Sequence, residues 1–133
     1  MSTSFIRLTQ PRRLKEAEQT LRQLGLSSSA LPSSSPLTIA PYPSPSSSYF
    51  PGKVGRSSLP PLLVPTASAP TRCLALLRTL ASSAPGPFFA TGKAGQINAA
   101  LFAAACLAPT HPKIRRALHL FRTRQTQSVP QKP

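Results

Sequence analysis

Residues 88–108 read FFATGKAGQINAALFAAACLA, and this stretch decides the fold that the sequence predicts. Phe88-Phe89-Ala90 has the length of a minimal strand, and the glycines of 92–95 predict a turn. Residues 96–107 are rich in alanine and apolar nearly all the way round, which predicts a buried helix. A strand, a turn and a buried helix in succession favour a parallel α/β arrangement.

The flanking segments extend this pattern. Residues 59–64 form a short apolar run, which predicts a strand at a sheet edge because Pro60 and Pro61 lack the N–H that a central strand needs. Residues 72–83 predict a helix capped by Thr71, and residues 112–124 predict a last helix before a fraying tail. Their apolar faces are Cys73, Leu74, Leu77, Leu80 and Ala81 on the first helix and Ile114, Ala117, Leu118 and Phe121 on the second.

The N-terminal half is less regular. Residues 11–25 predict an amphipathic helix that begins at Pro11 and stops at Gly25, with Leu14, Ala17, Leu21 and Leu24 on one face. Ten serines and five prolines occur among the 22 positions of 27–48, so we expect a long disordered linker there. The predicted divisions are an N-terminal segment (1–25), a Ser/Pro-rich linker (26–48), an α/β region (49–129) and a tail (130–133).

The charge balance excludes several kinds of chemistry. The chain has 16 Lys and Arg against 2 Asp and Glu, a net charge of +14, and Glu16 and Glu18 are the only acids. A catalytic carboxylate pair cannot exist outside that one helical turn, and oxygen-liganded metal sites are not expected. The two cysteines and two histidines lack zinc-site spacing, and no apolar run approaches the length of a membrane span. Such basicity either attracts polyanions or reflects biased composition alone, and both interpretations stand.

Thr91-Gly92-Lys93-Ala94-Gly95 is the local feature with the most chemical character. Backbone N–H groups at a helix N-terminus bind anions, glycine permits a close approach, and a lysine adds a point charge. The GxxxxGK[ST] spacing of a phosphate-binding loop is missing, so a tight turn before a packed helix is the equal alternative.

Several segments together resemble one enzyme family. They are LPPLLVP (59–65), Leu76-Leu77, GKAGQINAAL (92–101) and FRTRQT (121–126), with FPG at 50–52. In order and spacing they resemble the C-terminal half of the phosphoribosylaminoimidazole carboxylase / carboxyaminoimidazole ribonucleotide mutase family of de novo purine (IMP) biosynthesis. In addition, LKEAEQTLRQLG at 14–25 resembles the family's first helix. The resemblance implies an incomplete flavodoxin-like, three-layer parallel sheet. It also implies a carboxylase (lyase) or mutase reaction on aminoimidazole ribonucleotide, without a cofactor or metal.

The departures from the family bear on activity. Tyr49 stands where the family has its proton-shuttling histidine, and a phenol ordinarily titrates near pH ~10 rather than near the ~6.5 of imidazole. The family's first strand has no room before Met1, and its substrate loops are missing. We therefore expect weak or absent catalysis. The candidate substrate-binding residues that remain by resemblance are Pro51, Gly52, Gly92, Lys93, Ala94, Gly95 and Asn98.

The partners and the compartment stay open. The apolar stripe of the predicted helix 112–124 predicts either a homo-oligomer or assembly with an intact paralogue, unless this stripe packs on the helix of 96–107 instead. An alternative function is that of a non-catalytic basic protein, oligomerising or associated with RNA or an organelle. The cations for nonspecific nucleic-acid contact would be Lys113, Arg115, Arg116, Arg122 and Arg124. A weak transit-like N-terminus leaves a cytoplasmic or organellar location open.

Overall fold

The computed structural model describes residues 6–29, 37–43, 61–67, 69–84 and 86–132. Four strands and four helices are formed in these ranges, with a 3-10 turn at Pro11–Arg13. In chain order they are β1 (Ile6–Leu8), α1 (Lys15–Gln23), β2 (Ser28–Ser29), β3 (Leu37–Tyr42), β4 (Leu62–Pro65), α2 (Pro70–Ser83), α3 (Gly92–Leu107) and α4 (Pro112–Ser128). None of the helices in the described residues is both long enough and apolar enough to cross a bilayer.

The strands form one parallel sheet in the order β2-β1-β3-β4. A parallel bridge between Leu63 and Phe88 continues the sheet beyond β4. It is made by Leu63 N donating to Pro87 O (3.1 Å) and Phe89 N donating to Leu63 O (3.0 Å). With Phe88 in the fifth position, the order is that of the flavodoxin-like doubly wound fold. The predicted fold class, an incomplete flavodoxin-like α/β sheet, is confirmed.

The helices lie on both faces of the sheet and make three layers. Helices α1, α3 and α4 cover one face, and their apolar residues join Ile6, Leu8, Ile39 and Val64 in the main core. Helix α2 lies on the opposite face, where Leu80 packs in a small cluster of its own. The two clusters take alternate residues of β3 and β4, because successive strand side chains point to opposite faces.

The main correction concerns the segment predicted to be a linker, because residues 37–42 form the buried strand β3. Ile39 O accepts from Thr9 N (3.1 Å) on the β1 side, and Tyr42 O accepts from Thr66 N (2.8 Å) on the β4 side. Peptide groups alternate in direction along a strand, so the nitrogen of Pro41 faces the β1 side beyond Leu8, where β1 has ended. No ladder bond is lost there, and the proline is tolerated inside the sheet.

Two other strands differ from the predictions. Ile6–Leu8, for which the sequence predicts no strand, forms β1 between β2 and β3. The run predicted as an edge strand forms β4, all four residues of which are buried between β3 and the Phe88 bridge. Leu59 and Pro60 lie outside the described residues.

The helix boundaries also differ. Helix α2 begins at Pro70, so Thr71 lies inside it rather than capping it, and Leu74 is 52% exposed while Leu80 is 2% exposed. Helix α3 begins at Gly92, so the residues predicted as a turn form its first turn. Helix α4 continues to Ser128, past its predicted end at residue 124. Cys106, within the stretch 96–107 that is predicted to be a buried helix, is exposed.

The amphipathic helices are the best predicted elements. Leu14, Ala17, Leu21 and Leu24 are buried as predicted, and Gly25 ends the turn after α1 with a φ of +71°. Ile114 and Leu118 of α4 are buried in the main core with α3. Of the two interpretations of the α4 stripe, packing against its own chain is therefore the one that the structure shows.

Candidate functional site

The candidate site lies at the carboxyl edge of the parallel sheet. Because β1, β3 and β4 run in the same direction, the residues that follow them, Thr9, Pro43 and Thr66, emerge at one edge. The strand order reverses between β1 and β3, since β2 lies on one side of β1 and β3 on the other. In open α/β sheets this switch point is where ligands bind.

Arg13 spans the switch point. Gln10 has a left-handed backbone (φ 48°), which turns the chain sharply after β1 and brings Arg13 back over the strand ends. Its Nη1 donates to Pro43 O (2.8 Å) and to Gln10 Oε1 (3.1 Å), and its Nη2 donates to Thr66 Oγ1. One guanidinium thus ties together the ends of β1, β3 and β4.

The N-terminus of α3 is held against this edge by glycine. A Cβ added at Gly95 would lie 1.6 Å from the carbonyl oxygen of Ala90, so only glycine allows the helix to pack this closely on the preceding segment. Gly92 begins the helix with a φ of +77°, and no side chain caps the helix at Thr91. The first N–H groups of a helix carry a partial positive charge, which favours an anion at this position.

Gln96 joins α3 to α1. Its Oε1 accepts from the backbone N–H groups of Glu16 (3.0 Å) and Ala17 (3.4 Å), two of the unpaired donors at the start of α1. Its Nε2 donates to Arg13 O (3.4 Å). The side chain therefore caps α1 and fixes the backbone from which the Arg13 guanidinium extends.

Two adjoining depressions at this edge form one open groove, here called the carboxyl-edge groove. The first, of about 370 Å³, reaches the start of α3, and the second, of about 330 Å³, reaches α2. Arg13, Thr66 and Ala67 line both depressions. Gly92 and Gln96 complete the first, and Pro43, Arg72 and Leu76 complete the second.

The groove is cationic, and none of the described residues that line it is an acid–base group. Arg13 and Arg72 bring two guanidinium groups to it, and its described lining contains no carboxylate, imidazole or thiol. His111 lies beyond the other end of α3, where its Nδ1 contacts Leu107 O (3.0 Å), and His119 lies on α4. The described residues contain no group of three potential metal ligands. The arrangement suits binding of an anion rather than transfer of a proton.

The candidate residues from the sequence are placed as follows. Gly92 lines the groove, and Gly95 is buried under Ala90. Lys93, Ala94 and Asn98 are exposed on the first turns of α3, and the Lys93 Nζ lies 3.9 Å from Glu16 Oε1. Tyr49, Pro51 and Gly52 lie outside the described residues. The binding roles of all these residues stay predictions.

Four residues that line the groove are not predicted by the sequence: Arg13, Thr66, Arg72 and Gln96. Arg13 had a usable signal, because a basic residue just after the first strand of a parallel sheet lies near the switch point. That signal depends on recognising Ile6–Leu8 as a strand. Thr66 follows the apolar run of residues 59–64, which the sequence predicts to be a strand. Its backbone partner Tyr42 lies on β3, which the sequence does not predict.

The fold and the groove define a flavodoxin-like α/β protein with an anion-compatible site at the carboxyl edge of its sheet. No family model matches the chain. The chain is 36% identical over 89 residues to the N5-carboxyaminoimidazole ribonucleotide mutase of Pseudomonas aeruginosa, which covers 64% of this chain and 55% of the mutase.

These figures support the resemblance that the motifs indicated. Over the matched residues the chain resembles that mutase at the level expected of a distant relative. The chain spans about half the length of the curated mutase that it matches.

Proposed function

We propose that this chain is a carboxylase/mutase-like protein of purine biosynthesis that binds an aminoimidazole ribonucleotide through its phosphate and turns it over weakly or not at all. The similarity to an N5-carboxyaminoimidazole ribonucleotide mutase supports the proposed substrate class. The single observation that carries the binding proposal is the position of Arg13 at the switch point, with Arg72 across the same groove.

The charges of the groove favour a phosphate. A guanidinium offers several N–H donors in a planar fork that matches phosphate oxygens, and Arg13 is already oriented by Pro43 and Thr66. Arg72 is exposed and adds a second positive charge without any carboxylate in the lining to compete for it. The uncapped start of α3 at Gly92 adds backbone donors on the other side.

The same lining explains why slow turnover is expected. Moving a carboxyl group on the imidazole ring needs a proton shuttle, and a positioned general acid or base contributes about 10²–10⁴ in rate. Neither histidine of the chain lines the groove, and the residue at the family's histidine position is Tyr49.

Calorimetric titration of the full chain with aminoimidazole ribonucleotide tests the binding. Arg72→Gln removes an exposed charge from the groove, and we expect it to weaken binding about tenfold, as for the loss of one charge-assisted hydrogen bond. Arg78→Gln is the matched control, since Arg78 is exposed on the same helix but does not line the groove. Equal affinity in the two variants would refute the assignment.

Turnover is measured separately with the unmodified chain. We expect a rate at least about 10²-fold below that of the intact mutase assayed beside it. A rate equal to the mutase's would show that the chain has an acid–base group that the groove lining does not supply, and the weak-turnover half of the proposal would be wrong.

We also propose that the chain assembles with a second copy of itself. Large apolar side chains remain exposed on three helices, namely Leu74 on α2, Phe102 on α3 and Leu120 on α4. Burial of such residues stabilises association by about 25 cal/mol for each Å² removed from water. Sedimentation should therefore give a mass above that of one chain, and a folded monomer at all concentrations would contradict it.

A further inference from the structure

Helix α4 carries exposed positive charge that takes no part in the carboxyl-edge groove. Between residues 113 and 124 it has five exposed cations, here called the α4 basic surface: Lys113, Arg115, Arg116, Arg122 and Arg124. None of them lines the carboxyl-edge groove.

No side-chain carboxylate is free to neutralise this surface. The sequence has only two acidic side chains, both on α1, and both are already paired. Glu18 Oε1 contacts Arg22 Nη2 at 2.8 Å, and Glu16 Oε1 lies 3.9 Å from Lys93 Nζ. Any carboxylate or phosphate that neutralises α4 must therefore come mainly from another molecule.

The charges do not stabilise the helix itself. Like charges three or four residues apart, such as Lys113 and Arg116, oppose helix formation by a few tenths of a kcal/mol per pair. Helix α4 persists because Ile114 and Leu118 are buried against the main core. A polyanion along the helix would remove the repulsion, and that gain is available only to a partner with repeated negative charges.

The cations are spread along the helix and around its exposed side. From Lys113 to Arg124 the helix rises about 17 Å, at 1.5 Å per residue, and at 3.6 residues per turn Arg115 and Arg122 lie on one flank while Lys113 and Arg124 lie on the other. Arg115, His119 and Arg122 border a groove of about 440 Å³ between α3 and α4, whose remaining lining is apolar. The phosphates of a nucleic-acid backbone repeat over such a length, so a backbone that passes along the helix can contact several of these cations.

A lipid surface fits less well. A helix that lies on a membrane inserts its apolar face among the acyl chains. The apolar face of α4, with Ile114, Leu118 and Phe121, packs instead on the core of this chain. What α4 presents to the outside is mainly charge, with Leu120 as its large exposed apolar side chain before residue 129.

We propose that the α4 basic surface binds the phosphate backbone of nucleic acid without sequence preference. Each phosphate neutralised releases counterions, so the logarithm of the association constant for a duplex falls with the logarithm of salt concentration at a slope of about −0.9 per contact. The proposal is independent of the ribonucleotide groove, because α4 and the groove share no lining residue.

Fluorescence anisotropy with a short mixed-sequence DNA duplex, at salt concentrations from about 50 to 200 mM, tests it on the full chain. The variant Arg115→Gln/Arg122→Gln should bind at least about tenfold more weakly and with a salt slope about 2 less steep. The control Arg12→Gln/Arg78→Gln loses the same net charge from exposed positions on other elements and should change binding far less.

Equal weakening by both double variants would overturn the proposal, since binding would then follow total charge alone. Unchanged binding in the α4 variant would overturn it too. The proposal would also be overturned if the α4 variant lost binding to vesicles of anionic lipid, measured in parallel, but kept its binding to the duplex. Titration of the same variants with aminoimidazole ribonucleotide separates the two proposals, because the α4 changes should leave that affinity unaltered.

Discussion

The two faces of the sheet are covered very differently. On one face α1, α3 and α4 bury a continuous core that includes Ile39 of the central strand β3. On the other face α2 covers a cluster that has four buried members among the described residues, Ala40, Tyr42, Leu63 and Leu80. The described fold therefore derives most of its apolar burial from one side, and the carboxyl-edge groove lies where the two sides meet.

This asymmetry has a physical origin in the helices. Helix α3 is alanine-rich, with Ala99, Ala100, Ala103 and Ala104 buried, so its backbone approaches the sheet and its neighbours closely. Helix α2 has larger side chains but leaves Leu74 exposed and makes its buried contact through Leu80. Close packing of small residues leaves little room for relaxation after a mutation, whereas a thin layer relaxes more easily.

The largest effect should come from the main core. Ile39→Ala leaves a cavity in the main core, and we expect a loss near the top of the range of about 2–5 kcal/mol. Leu80→Ala, which removes a residue equally buried on the thin face, should cost nearer the bottom of that range. Equilibrium denaturation by urea measures both, and equal losses would show that the two faces contribute alike.

A smaller loss is expected where α3 meets the sheet. Gly95→Ala would place a methyl group 1.6 Å from Ala90 O, so the helix must move away from the segment before it. We expect a cost of about 1–3 kcal/mol, the usual range for overpacking. Ala94→Ser is the exposed neighbouring control, and a loss as large for it would mean that the close approach at Gly95 is unimportant.

The tie between α1 and α3 should contribute less. Gln96→Ala removes the acceptor for the N–H groups of Glu16 and Ala17, and the loss of such a cap costs about 1 kcal/mol. Gln19→Ala changes an exposed glutamine of α1 and should leave the urea midpoint nearly unaltered. If the two substitutions have equal effects, Gln96 does not hold the helices together.

The smallest effect is expected at the solvent side of α1. Glu18→Gln breaks the ion pair with Arg22, which is exposed and spaced i, i+4, so it should cost about 0.3–0.5 kcal/mol. The cost should shrink as salt is raised, because exposed charges are screened. A loss as large as that of Ile39→Ala would mean that charge and not burial stabilises the thicker side.

The groove was partly accessible to sequence reasoning. Gly92 was identified because glycine before an apolar helix marks a turn with a special backbone, and its φ of +77° agrees. The sequence does not predict Arg13 and Arg72 as site residues, because they are far apart in the chain. They line the same groove only once β1, β3 and β4 have paired. The Arg13 contacts with Pro43 and Thr66 span 30 and 53 positions.

The prolines of residues 27–48 are the reason why strand β3 was not predicted. A proline breaks a ladder only where its missing N–H should donate, and the N–H groups of a strand alternate between its two sides. Pro41 lies beyond the paired length of β1, so its ring is harmless, although composition alone made residues 27–48 resemble a linker. Register, which composition does not encode, decides whether a proline is tolerated.

Local pattern was sufficient for the amphipathic helices, the stop at Gly25 and the α/β class, because a helix is stabilised by bonds and contacts within a few residues of each other. Tertiary structure alone decided that Ile6–Leu8 and Leu37–Tyr42 are the central strands and that Arg13 lies over their ends. A short strand has no internal hydrogen bonds, so its existence depends on a neighbour that the chain brings from far away.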